Sequence, residues 1–194
     1  MIDRLFGGDE SEGDERPAEA EPEPPSPSAP ESGQDADLAS IRRAISGMES
    51  VSRERRRFLA GYAYILVRVA RADGHTNDAE TVSMEQAVSA AGELPEAQGA
   101  LLVALAGRMN ALYGTTEDYA VTREFARNSS PQERQRLMRA CISVGVADGV
   151  ISGAESTELY EIGRELGFNV EDIDGIREQV EPPAPEPEPP AAAS

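Results

Sequence analysis

The sequence predicts an all-α protein. The expectation is a single compact helical domain of about eight helices with a pseudo-twofold internal repeat, flanked by disordered acidic Pro-rich tails. Three observations carry it. Apolar residues recur at three- and four-residue spacing through the middle of the chain, and no segment sustains the two-residue alternation of a strand. A nine-residue frame occurs twice, as Ala72-Asp73-Gly74-His75-Thr76-Asn77-Asp78-Ala79-Glu80 and as Ala147-Asp148-Gly149-Val150-Ile151-Ser152-Gly153-Ala154-Glu155. The offset is 75 residues, and at that offset Val69 meets Val144, Gly92 meets Gly167 and Glu96 meets Glu171 without a gap. Composition also changes sharply near both ends. Residues 1–37 are rich in Glu, Asp, Pro, Ser and Gly, and residues 182–194 are Pro, Glu and Ala with a final Ser. Neither stretch holds enough apolar surface to offset the entropy of ordering it. Residues 38–181 are left as one domain of ordinary size.

Charge narrows the partners. The net charge is −18, with every basic residue an Arg. Residues 1–40 carry twelve acids and two arginines, the C-terminal tail carries Glu186 and Glu188, and −6 remains for the folded part. Such a field repels nucleic acid, anionic lipid and oxyanions, and attracts cations. Nucleic acid is therefore not expected as a partner; protein partners are. Cys141 is the lone cysteine, which rules out an intrachain disulfide and fits a reducing compartment. Met1 to Gly8 has no signal-peptide core, and the longest apolar run, Phe58 to Val67, is half a membrane span. A soluble cytoplasmic protein is expected. Ile2, Leu5 and Phe6 stand at helical spacing, but two apolar turns among acids give only weak peripheral membrane contact.

The helices are expected in this order. Leu38, Ile41 and Ile45 stripe a short first helix. Ser50 or Ser52 caps a second that runs to about Ala72, with Phe58, Tyr62, Ile65, Leu66 and Val69 on one face. The arginines at its start, Arg53, Arg55, Arg56 and Arg57, read as a solvated face paired with acids. Asp73-Gly74 closes it, Gly supplying the left-handed position. A third helix spans Asn77 to Ala91 and stops at Gly92. Pro95 opens a fourth, with Leu101, Leu102, Leu105, Met109 and Leu112 inward and Gly114 as its end. A fifth starts near Thr115 or Thr116 and ends near Asn128, with Tyr119 and Phe125 inward. Ser130-Pro131 opens a sixth, with Leu137, Met138, Cys141, Ile142 and Val144 in the core. Ser152 opens a seventh, with Leu159, Ile162 and Leu166. Asn169 caps an eighth to about Val180, burying Ile173 and Ile176. The second and third helices correspond to the sixth and seventh. Gly61 and Gly145 interrupt two long helices, where Gly costs about 1 kcal/mol against Ala; close helix crossing is one physical reason to accept that cost.

The repeated frame has two readings. Asn77 to Glu80 and Ser152 to Glu155 are capping boxes, each a side-chain oxygen followed three residues later by Glu. Every motif residue thus has a task in a helix–turn–helix without a ligand. The same turn brings an Asp at one helix end near a Glu at the next helix start. Two copies supply Asp73, Glu80, Asp148 and Glu155, with Asp78 nearby, an oxygen-rich set of the kind calcium or magnesium takes. The loops are not EF-hands: Asp78 and Met84 occupy positions that demand Gly and Glu, and Leu159 stands where the second copy would need Glu. His75 has Val150 as its counterpart, which argues for an ordinary exposed His rather than a transition-metal ligand. Cys141, on an apolar face, reads as a buried structural thiol.

The doubled Ala-Asp-Gly…Glu frame in helical hairpins, with Leu166-Gly167-Phe168 closing the second, resembles the TerB family of tellurite-resistance-associated proteins. The N-terminal region of the DjlA co-chaperones is similar. The resemblance covers about residues 50–180 and neither tail. It implies a compact all-α domain of pseudo-symmetric helical repeats, a cytoplasmic, membrane-proximal role in bacterial stress response and tellurite resistance, and a divalent-metal site at Asp73, Glu80, Asp148 and Glu155. No Ser/His/Asp or Cys/His set, glycine-rich phosphate loop or cysteine pair points to catalysis. A metal-independent interaction adaptor, whose motifs only cap helices, stands as the alternative.

Overall fold

The structure, a computed structural model, describes residues 46, 47, 49 and 51–180. The predicted tails and the short helix carrying Leu38, Ile41 and Ile45 lie outside the described residues, which open with helical Ser46, Gly47 and Glu49. Six helices follow: α1 (Arg53–Ala70), α2 (Asp78–Gly92), α3 (Glu96–Asn128), α4 (Pro131–Gly145), α5 (Gly153–Leu166) and α6 (Val170–Val180). Among the described residues there is no strand.

α1 is the central element. Ser52 caps it, its hydroxyl accepting from the Arg55 N–H at 3.2 Å. From Tyr62 to Ala70 every residue is buried. The sequence there, Tyr-Ala-Tyr-Ile-Leu-Val-Arg-Val-Ala, is apolar on all sides but for Arg68, and such a helix must be enclosed. α2, α3, α4 and α5 all pack on it. Leu59, Ile65, Leu66 and Val69 meet Leu137, Met138 and Ile142 of α4 and Leu159, Ile162 and Leu166 of α5 in one core. α6 closes the end of the bundle through Ile173 and Ile176. Fully burying each such side chain stabilises by roughly 1.5–3 kcal/mol.

Two expectations need correction. The predicted fourth and fifth helices are one: α3 runs through Gly114 without a break. A single Gly costs about 1 kcal/mol in a helix, which the packed turns on either side offset. The helix bends there. Asn110 Nδ2 donates to Asp118 Oδ1 at 3.2 Å, whereas a straight helix sets residues eight apart about 12 Å from each other, beyond the combined reach of two such short side chains. A Gly at the bend is a usual cause. The second correction concerns burial. Leu105, Met109, Leu112 and Tyr119, expected inward, are 57%, 44%, 63% and 63% exposed. Leu102 and Phe125 are buried as expected, and Leu101 is half-buried.

Close crossing explains Gly61 and not Gly145. A Cβ on Gly61 would sit 3.2 Å from the Phe125 ring, whose partner Phe58 lies 5.1 Å away between centroids. At Gly145 the nearest atom, from Ile151, is 3.6 Å off, an ordinary contact. The arginines at the start of α1 do meet neighbouring groups. Arg57 pairs with Glu124 at 2.9 Å, and Arg55 donates to the Ala91 carbonyl and lies 4.8 Å over Phe58.

Candidate functional site: an acidic recess between two matching turns

Each turn is built by its own residues. α1 runs out with the Arg71 N–H donating to Val67 O at 3.0 Å and Gly74 N–H to Arg71 O at 2.9 Å; Gly74 takes φ 88°. At the 75-residue offset, α4 ends with Val146 N–H to Ile142 O at 3.0 Å and Gly149 N–H to Val146 O at 2.9 Å, with Gly149 at φ 97°. Asp73 Oδ1 accepts from the His75 N–H at 2.9 Å, and Asp148 Oδ1 from the Val150 N–H at 3.1 Å. Such short Asp-to-backbone loops hold the turn where Gly has freed it.

Both capping boxes form. Asn77 Oδ1 accepts from the Glu80 N–H at 2.9 Å, and Glu80 Oε2 accepts from the Asn77 N–H at 2.8 Å. In the second turn, Ser152 Oγ accepts from Glu155 N–H at 3.1 Å, and Glu155 Oε2 from Ser152 N–H at 2.7 Å. Each cap uses one carboxylate oxygen and pins the Glu inward, leaving Glu80 and Glu155 only 5% and 3% exposed.

The turns face each other. Asn77 Nδ2 donates to Asp148 Oδ2 of the other turn at 3.2 Å, and the Glu80 and Glu155 carboxyls line the same recess. Burial first, then the neighbouring Glu155 and Asp148 carboxylates, push the Glu80 carboxyl up to about 7, against the pull of the Asn77 N–H. Around the pair lies a recess of about 240 Å³, lined by Asp73, His75, Asn77, Glu80, Asp148 and Glu155 among others. Four of the five acids expected at a site therefore come together. Asp78 does not: it is exposed on the first turn of α2, outside this lining, and its counterpart is Gly153. His75 and Val150 are exposed at the rim. Among the described residues no three His, Cys, Asp or Glu side chains converge in ligating geometry.

A second acidic cluster has its cation built in, and the sequence reading missed it. Arg68 of α1 is 7% exposed. It donates to Glu158, to Glu165 at 2.6 Å and to Thr122 Oγ1 at 3.0 Å. Tyr64 donates its O–H to Asp118 at 2.8 Å beside it. Burial opposes the Arg68 charge, but the Glu165 hydrogen bond and the charges of Glu158 and Glu165 outweigh it and hold the guanidinium above its ordinary range. At Glu158 burial wins over Arg68, and the carboxyl is raised. The one signal in the sequence was an Arg inside an otherwise apolar run, since a buried Arg needs partners. Cys141 is fully buried and its thiol is pushed well up by that burial, as a structural thiol would be.

A bundle of helical hairpins around one buried helix, with an acid-lined recess where two matching turns meet, defines an all-α hairpin domain. The family profile described as Tellurite resistance protein TerB matches residues 60–178. That is more than half of the chain and takes in both turns: the chain belongs to the TerB family. No curated protein and no solved structure matches significantly. Among the described residues, no helix is long and apolar enough to cross a membrane.

Proposed function

We propose that the chain is a non-catalytic stress-response module, associated with tellurite resistance, that takes a hard divalent cation in the recess and relays that state to protein partners. The observation that carries the reading is the meeting of Asp73, Glu80, Asp148 and Glu155 around one recess, with Glu80 and Glu155 buried in it. Buried carboxylates with no basic partner beside them favour positive charge, and a divalent cation would supply it. The donor chemistry fits: every acid around the recess offers oxygen, which calcium and magnesium prefer. Glu80 and Glu155 would be the ligands, with Asp148 recruited from Asn77 and Asp73 contributing from the rim; Asp78 adds only charge. The hydrogen-bond equivalence of the two turns supports a duplicated hairpin with pseudo-twofold symmetry. A cytoplasmic location, close to the membrane as the family kinship suggests, belongs to the reading, and the lone buried Cys141 supports a reducing compartment.

A specific observation favours a second reading. Every motif acid in the recess already accepts a hydrogen bond from its own turn. An adaptor whose motifs only cap helices needs nothing more. Calorimetric titration of the full chain with calcium and with magnesium at pH 7.5 separates the two. The cation reading expects one site in roughly the micromolar range, release of protons on binding, and at least about tenfold weaker binding in both Glu80→Gln and Asp148→Asn. Binding no tighter than millimolar, or binding untouched by both substitutions, leaves the adaptor.

A further inference from the structure

The bend of α3 at Gly114 opens a cleft. Its two arms and the outer face of α1 enclose about 880 Å³. Phe58 and Gly61 form the floor, Leu105 and Met109 one wall, Val121 and Phe125 the other. The walls are apolar yet half or more uncovered at Leu105 (57% exposed) and Tyr113 (51% exposed). An apolar face of this kind is a groove for an amphipathic helix.

We infer that the occupant is this chain's own segment Leu38–Met48, seated as a helix with Leu38, Ile41, Ile45 and Met48 toward the cleft. Four observations select it. The chain enters at the right place: a Cβ on Gly47 would fall 2.0 Å from Gln98 Nε2, and Gln98 stands one turn before Leu102 on the face of α3 that continues to Leu105 and Met109. The approach is anchored, with the Arg56 guanidinium donating to the Glu49 carbonyl at 3.5 Å. The pattern fits, because the four apolar residues recur three and four apart on one helix face while Arg42 borders it and Arg43 lies opposite. Those two arginines complement a rim carrying Glu54, Glu117 and Glu124 against Arg57. The length fits as well. Eleven helical residues span about 16 Å, and the Leu102–Tyr113 arm about the same. A segment joined directly to α1 also acts at an effective concentration that no free partner matches.

Cross-linking and hydrogen exchange on the full chain test the assignment. Cys141 is fully buried, so introduced thiols can be addressed selectively. Ile45→Cys with Leu105→Cys, treated with a short bismaleimide at low protein concentration, is expected to cross-link at monomer mass, and Arg43→Cys with Leu105→Cys is not. In the unmodified chain the amides of residues 38–48 are expected to exchange slowly. Met109→Glu, at a 44% exposed position that leaves the core intact, should speed them by about tenfold or more. Cross-linking only at dimer mass would give the cleft to a second copy and overturn the inference. Unprotected amides in 38–48 without any cross-link would leave the cleft to a separate partner and overturn it equally.

Discussion

The molecule holds two buried acidic clusters, and they resolve the same problem differently. Glu158 and Glu165 surround Arg68, a cation carried by the fold itself. Glu80 and Glu155 have no basic side chain among the recess-lining residues apart from His75 at the rim, and burial with the neighbouring carboxylates raises Glu80 instead. The first cluster is closed, because its charge is neutralised by a residue that cannot leave. The second has no such residue, so in the proposed reading its positive charge would come from outside the chain. Acid count alone would rank the Arg68 cluster as the better cation site. What matters is whether positive charge is already covalently supplied.

The largest expected effect comes from removing the built-in cation. Arg68→Met leaves the half-buried Glu158 and Glu165 without their cation, and losing one member of a buried pair costs about 3–5 kcal/mol. Thermal denaturation should show the midpoint falling by about 10–15 °C. Adding Glu165→Gln should restore part of the loss, since one unpaired charge goes with it. An Arg68→Met chain as stable as wild type would mean that the cluster is solvated and the contrast between the two clusters is false.

A smaller effect follows from the second cluster, and its sign is opposite to that of an ordinary salt-bridged acid. Folded Glu80 keeps its proton up to about 7, while the unfolded chain releases it near 4.5. The folded state therefore binds more protons between those values, so stability is fully present below the unfolded value and is lost as pH rises through the folded one. In chelator-treated protein the expected loss from pH 5 to pH 8 is about 1–2 kcal/mol, less than the full 1.4 kcal/mol per unit because the recess opens to solvent. Glu133, held below its ordinary range first by the Ser130 N–H and hydroxyl, works in the other direction, but at lower pH than this window. Glu80→Gln should flatten the profile, since Gln still completes the capping box. Urea denaturation across that range measures it, and a wild-type curve rising with pH would remove the raised Glu80 carboxyl from the account.

The sequence carried the turns well because their chemistry is local. Gly74, Gly149, Asn77, Ser152 and the two glutamates decide their geometry within eight residues, and the helix-end bonds, the Asp-to-backbone bonds and the capping boxes of one copy have their partners 75 residues on. What failed was what depends on distant neighbours. Gly114 read as a stop because a Gly weakens a helix; whether the helix breaks or bends depends on what packs on each arm. Leu105, Met109, Leu112 and Tyr119 read as core because periodicity shows that a face is apolar, not that anything covers it. Arg68 read as the end of an apolar run because its partners lie 90 and 97 residues away. That Glu80 and Glu155 share one recess was reachable only by supposing that the two hairpins meet face to face.

The smallest effects separate the two turns themselves. Asn77 and Ser152 are equivalent caps, yet only Asn77 also bridges to the opposite turn, through Asp148 at 3.2 Å. Ser152→Ala should cost about 1 kcal/mol, the usual value of a lost cap. Asn77→Ala should cost the same plus the bridge. Asn77→Ser turns the first cap into a copy of the second, keeping the helix start and deleting the bridge alone. Because that bridge is exposed, its loss should amount to a few tenths of a kcal/mol in chelator-treated protein. In calcium the same substitution should cost nothing or become favourable, because Asp148 is then already free of Asn77 and available to the cation. A calcium-independent penalty at Asn77→Ser would show instead that the bridge fastens two capped turns together as pure architecture.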